Sequence, residues 1–152
     1  MKNSQPSTAR HLVFIYGSAM LVSLIGLGDS IYLTVQHLTG QSVRCSVTTG
    51  CSAVLSSQYS TIAGVPTALL GALAYFTAFS LATLAAFDYE RARTVLALVV
   101  AAMLVMTLWL FYVQAFVLHA YCEYCLLSAA TTLSLTALVA AARFVNPAPS
   151  KK

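Results

Sequence analysis

Long apolar runs separated by short polar interruptions set the pattern of this chain. Residues 1–11 are polar and carry Lys2, Pro6 and Arg10, which predicts a frayed start and then an entry helix. An apolar run over about 12–35 follows, broken only by Asp29. A cleaved signal sequence would stop after a short apolar core at small residues. Here the run continues past Gly17-Ser18-Ala19, so it predicts a first transmembrane helix. Residues 36–61 are polar and rich in Ser, Thr and Gly, the composition of a loop. Within them, Val54, Leu55 and Tyr59 share one side of a short helix over 52–59, lying on or dipping into the membrane surface. A second span is predicted over about 62–87. Pro66 fits its first turn, where no backbone N–H is needed, and Gly64 and Gly71 allow close helix approach. Asp88 to Arg93 form a charged turn. A third span covers about 94–118, a fourth about 120–142, and 146–152 read as a polar, disordered tail. The expectation is an all-α membrane protein, a four-transmembrane-helix bundle in one domain over 1–152, capped by the outer loop and its short helix.

Composition agrees with this pattern. The chain has 152 residues, 59% hydrophobic and 8% charged, whereas soluble domains carry about 25% charged residues. The net charge of +4 does not point to nucleic acid, because the basic residues are scattered at segment ends. Lys2, Arg10, Arg91, Arg93, Arg143, Lys151 and Lys152 fall on one side of four spans, and Arg44 on the other. The positive-inside rule then puts both termini in the cytoplasm and the 36–61 loop outside. There is no Gly-rich phosphate loop and no zinc-type Cys/His spacing, which removes nucleotide and zinc chemistry.

The four cysteines form two close pairs, Cys45 with Cys51 and Cys122 with Cys125. In this orientation all of them face outward, where disulfides form. Cys122-Glu123-Tyr124-Cys125 is a C-x-x-C at a helix start, so its thiols share one face and the leading one is acidified by free backbone N–H groups. About 20 residues counted back from Arg143 reach Glu123, which sets this pair at the outer membrane boundary. Trp109, Tyr112, Tyr121 and Tyr124 cluster near that level, as an interfacial aromatic belt does. A loop pair in water and a second pair at the lipid edge make a two-stage relay for thiol–disulfide exchange. Static disulfides are the alternative, but a C-x-x-C bridge closes too short a loop to stabilise much.

The electrons need an acceptor. His37 and His119 lie near outer span ends, compatible with haem ligation or simply with an interfacial position. A quinone dissolved in the bilayer needs only an apolar pocket with one or two hydrogen bonds. Asp29 lies in the outer third of the first span, where an ionisable group is costly. It is either a proton relay or polar anchor near the acceptor, or an Asp close enough to the surface to be hydrated. Glu123 can raise thiol proton affinity by its charge, or be hydrated.

These residues together resemble a bacterial member of the vitamin K epoxide reductase family, in a stand-alone form. The resemblance runs along nearly the whole chain. It comprises Gly28-Asp29-Ser30-Ile31-Tyr32-Leu33-Thr34, Cys45-x5-Cys51, Ser57 six residues beyond Cys51, Gly64-Val65-Pro66, and Cys122-x-x-Cys125 opening the last span. It implies a helical bundle around a quinone of the menaquinone, ubiquinone or phylloquinone type. It further implies that Cys45 takes electrons from a separate thioredoxin-like or DsbA-like protein and pairs with Cys51. Cys51 would attack the C-x-x-C disulfide at Cys122, Cys125 would face the quinone, and Ser57 would support the quinone end by hydrogen bonding. Animal members place an Asn and a Tyr where Thr67 and Ala129 stand here, which favours plain quinone reduction over epoxide reduction. Other assignments are a DsbB-type enzyme, whose C-x-x-C sits in the first outer loop, a bis-histidine cytochrome, and a four-span subunit with structural disulfides. The leading expectation is a thiol–disulfide oxidoreductase of the bacterial cytoplasmic membrane.

Overall fold

A computed structural model describes residues 6–40, 43, 45–46 and 50–145 of the chain. The expected cytoplasmic Lys2, Lys151 and Lys152, the outer Arg44 and the polar tail lie outside the described residues. Helix α1 is Pro6–Thr39, α2 is Cys51–Leu55, α3 is Thr67–Ala86, α4 is Glu90–Tyr112 and α5 is Glu123–Val145. A 3-10 turn at Gln58–Ser60 follows α2, and a π-helical turn at Val113–Val117 extends α4. Four helices are long and apolar enough to cross a membrane. Their length and apolar composition make this a multi-pass membrane protein.

The bundle is apolar outside and partly polar inside. Phe14, Leu21, Phe76, Leu98, Val105 and Phe144 are exposed, as lipid-facing side chains are. Ser23, Asp29, Ser30, Thr34, Gln114, Thr131 and Thr132 are buried. Between helices in lipid there is no water to exclude, so close packing and hydrogen bonds hold them together. Helix α3 accordingly buries small residues along one face, Ala78, Ala82 and Ala85, after Tyr75. Leu96, Val100 and Met103 of α4 and Leu135 and Val139 of α5 complete the same core. Two buried hydroxyls bond back within their own helix, Ser23 Oγ to the Ala19 carbonyl at 2.8 Å and Thr34 Oγ1 to the Ser30 carbonyl at 2.7 Å.

The second span opens differently from the sequence expectation. Residues 61–66 are not its first turn. Thr61–Ile62 and Val65–Pro66 pair as a two-stranded antiparallel hairpin, β1 and β2. Ala63 and Gly64 form its two-residue turn, with φ of 52° and 81°. Two successive positive φ values suit a tight hairpin, whose twist they match. Pro66 then ends the hairpin at the helix cap, with φ −57° and ψ 130°, and α3 begins at Thr67. The expected short helix over 52–59 is α2 plus the 3-10 turn, bent at Ser56 and Ser57.

Alternating spans bring the 36–61 loop and the start of α5 to one end. The opposite end carries Arg10, Arg91, Arg93 and Arg143. There Arg93 pairs with Asp88 and lies 5.7 Å from the centre of the Tyr16 ring.

Candidate functional site

All four cysteines meet at one end of the bundle. Cys51 and Cys122 are buried with Leu33 and Val43 in a small cluster that also touches Cys45, Cys125, Val54, Leu55, Ala68 and Tyr124. Cys45 and Cys51 are joined in a disulfide, with Cα atoms 5.7 Å apart. Cys122 and Cys125 are thiols.

Backbone contacts bring these two pairs together. Gly50, just before Cys51, lies against Tyr121, just before Cys122. A Cβ on Gly50 would sit 2.6 Å from the Tyr121 carbonyl oxygen and 2.7 Å from its nitrogen. Only glycine permits this approach. On the other side of the C-x-x-C, the Glu123 carboxylate accepts a hydrogen bond from the Ser46 backbone N–H at 2.8 Å. Ser46 is the neighbour of Cys45. Glu123 therefore binds the loop.

Cys122 stands immediately before α5, and Cys125 lies in its first turn. The Cys125 thiol donates toward the Cys122 sulfur, and the backbone N–H groups of Cys125 and Tyr124 add to it. Together they overcome the opposing effects of burial and of the Asp29 charge, and pull the Cys122 thiol down to about 7. Hydrogen bonds to the thiolate favour the charged form, as expected at a helix start.

Gln114 had no place in the sequence-based site. It sits in the π-helical turn and is buried. Its side-chain oxygen accepts the Cys122 backbone N–H at 3.0 Å, and its own carbonyl accepts the Ala120 N–H at 3.2 Å. It thus holds the short connection through His119, whose φ is 48°. Such π-helical turns recur at functional sites because they redirect one side chain without breaking the helix. A lone amide near the end of an uncharged apolar run was the available signal.

A cavity of about 430 Å³ opens beside the cysteines, between α1, α2, α3, α4 and α5. Cys125, Ser57, Thr67 and Ala129 all line it, and Cys122 does not. Its wall is mostly apolar, with Met103, Met106, Leu110 and Phe111 supplied by α4. The Ser57 hydroxyl donates to the Val54 carbonyl at 2.7 Å, and Thr67 Oγ1 donates to the Ser60 carbonyl at 2.9 Å. Each oxygen keeps acceptor capacity for a ligand.

Tyr75 forms a polar seam on the far wall, one turn beyond Cys125. Its hydroxyl lies 2.8 Å from the Ser128 carbonyl, 3.0 Å from Ser128 Oγ, 2.7 Å from Thr131 Oγ1 and 2.9 Å from Thr132 Oγ1. Its ring rests on Gly26 of α1, where a Cβ would come within 2.3 Å of it. Asp29, one turn along α1 from Gly26, also lines the cavity and is only 8% exposed. Its Oδ2 is buried with no hydrogen-bond partner among the described residues.

A cavity of this size falls within the ordinary range for small-molecule sites, and a mostly apolar wall with a few polar groups suits a flat ring carrying carbonyl oxygens. The arrangement therefore fits a quinone. Residues 18–140, from the first span to within the last, match the model of the Vitamin K epoxide reductase family. The chain belongs to the Vitamin K epoxide reductase family and is a membrane thiol–disulfide oxidoreductase.

Proposed function

We propose that this protein oxidises a thioredoxin-fold dithiol partner outside the bacterial cytoplasmic membrane and passes the electrons to a quinone of the bilayer. The family is quinone-linked in general. One observation carries the finer reading. Cys51 and Cys122 are buried in one cluster, while Cys125 alone of the four lines the cavity. Adjacent pairs with different neighbours suit successive steps of one relay.

The relay runs by thiol–disulfide exchange. A dithiol partner reduces the Cys45–Cys51 disulfide and leaves with its own disulfide. The Cys51 thiolate attacks Cys122 when the C-x-x-C is oxidised, forming a Cys51–Cys122 bridge and releasing Cys125. Cys45 then attacks Cys51, which restores the loop disulfide and leaves Cys122 and Cys125 reduced. The pair recorded in the structure, loop oxidised and C-x-x-C reduced, is the arrangement that follows this step. A quinone bound in the cavity supplies a two-electron, two-proton acceptor. Cys125 presents the sulfur nearest to it, the Ser57 and Thr67 oxygens, whose protons are held by backbone carbonyls, can accept from the ring hydroxyls that reduction creates, and the apolar α4 wall excludes water. Basic residues at the opposite end support cytoplasmic termini and outward cysteines.

The test mixes purified protein, a reduced thioredoxin-fold partner and a quinone of the ubiquinone, menaquinone or phylloquinone type, and follows quinone reduction. Cys122→Ser and Cys125→Ser should each abolish it. Retained turnover in either variant would falsify the relay.

A further inference from the structure

Oxidising the C-x-x-C releases protons inside a site walled by apolar side chains, and reducing a quinone consumes them there. Two S–H groups become one S–S bond, two electrons and two protons; the acceptor takes up both electrons and both protons. Cys122 is buried against the loop, where the hydrogen bonds it receives already draw its thiol toward the thiolate. Cys125 lies inside, against the cavity. Its proton needs an acceptor among the groups that line the cavity.

Asp29 lines the same cavity as Cys125. A carboxyl oxygen buried without a partner is costly inside a membrane, and such groups mark proton or ion pathways. The Asp29 charge is also felt at Cys122, which places the carboxylate within electrostatic reach of the C-x-x-C. The ionisable groups facing it are Cys122 and Cys125 from the α5 end, Tyr75 from α3 and Tyr59 from the segment after α2. The α4 wall presents none among its lining residues. Tyr75 is already committed to its hydroxyl seam. Asp29 is the group left with an open position.

We propose that Asp29 is the proton carrier of the cavity, taking the proton of the Cys125 thiol as the Cys122–Cys125 bond forms and delivering it to an oxygen of the reduced acceptor. The second proton enters from the aqueous side and matches the one that Cys122 has already lost. This rests on the quinone reading above but is tested apart from it.

The experiment compares wild type with Asp29→Asn, which keeps the shape and cannot carry a proton, and with Asp29→Glu. Infrared difference spectra between the dithiol and disulfide forms, taken without quinone, should show a carboxyl C=O band that changes with the C-x-x-C. Asp29→Asn should lose that band, and Asp29→Glu should shift it. With quinone, single-turnover reduction by the pre-reduced protein should slow by about 10²–10⁴-fold in Asp29→Asn, with the solvent isotope effect altered and partial recovery in Asp29→Glu. Transfer from the dithiol partner into the C-x-x-C, measured without quinone, should change far less, since Asp29 acts on that step only through its charge at Cys122. A wild-type spectrum with no carboxyl change, or full-speed single turnover in Asp29→Asn, overturns the proposal. Should the wild type reduce no quinone at all, the acceptor assignment fails while the infrared result still decides Asp29. The spectrum needs only the wild type and Asp29→Glu if Asp29→Asn does not fold.

Discussion

Gly50 and Tyr121 touch backbone to backbone, and the next residue of each is a cysteine of the relay. A methyl group at position 50 would meet peptide atoms that no rotamer change can move aside. Gly50→Ala should therefore displace Cys51 from Cys122. Turnover driven by the dithiol partner should fall by about 10²-fold, the usual penalty for an ångström-scale misplacement of reacting groups. Quinone reduction driven by a small dithiol that reduces the C-x-x-C directly should fall much less. Stopped-flow rates with the two reductants separate these cases, and equal losses would argue against the docking role.

The Cys122 thiol is pulled down to about 7 chiefly by the Cys125 thiol. In a Cys45→Ser/Cys51→Ser background, thiolate absorbance should show one group titrating near 7. Adding Cys125→Ala removes the donor and should move that midpoint up toward the ordinary thiol value. The sign for stability follows from the same depression. The folded state gains from this group fully above the ordinary thiol value, and the gain is lost as pH falls through about 7. A reduced protein that resisted denaturant better at pH 6 than at pH 9 through this group would contradict it.

Gln114 accepts the Cys122 N–H in a buried position. Gln114→Leu keeps the bulk and leaves that donor without its partner, a loss of about 1–3 kcal/mol. Thermal unfolding in detergent should shift downward. Cys122 should also react faster with a membrane-impermeant maleimide, since the connection through His119 is no longer held. An unchanged midpoint would mean that water replaces the amide.

Tyr75 and Gly26 hold the far wall of the cavity. Tyr75→Phe removes one hydroxyl from a four-contact seam and should destabilise by about 1–2 kcal/mol. Gly26→Ala forces a methyl into the ring and should destabilise by about 1–3 kcal/mol. Both should raise the KM for quinone more than they slow electron entry from the partner. Quinone titrations at saturating dithiol check this.

Several of these features were legible in the sequence and others were not. The four spans could be read directly, because burial in lipid demands uncharged runs of a set length whatever their neighbours are. The cysteine pairs were legible too, since their spacing is local. So were Ser57, Thr67 and Ala129 as residues to watch, through resemblance; all three line the cavity. The hairpin at 61–66 escaped because a short apolar stretch before a Pro suits a helix start as well as a strand, and its turn depends on positive φ at Ala63. Glu123 was readable as a charge beside a thiol, but only the folded loop gave that charge the Ser46 N–H to hold. Gln114, Tyr75 and Gly26 lie on different helices and acquire meaning only where those helices cross. Sequence alone determined the membrane, the number of spans and the redox chemistry, since each follows from local composition or spacing. The resemblance had already set Cys122 toward Cys51 and Cys125 toward the acceptor; tertiary structure decided how the loop is held against the helix start, by Gly50 on Tyr121 and Ser46 on Glu123, because these contacts join residues about seventy positions apart, which no local pattern encodes.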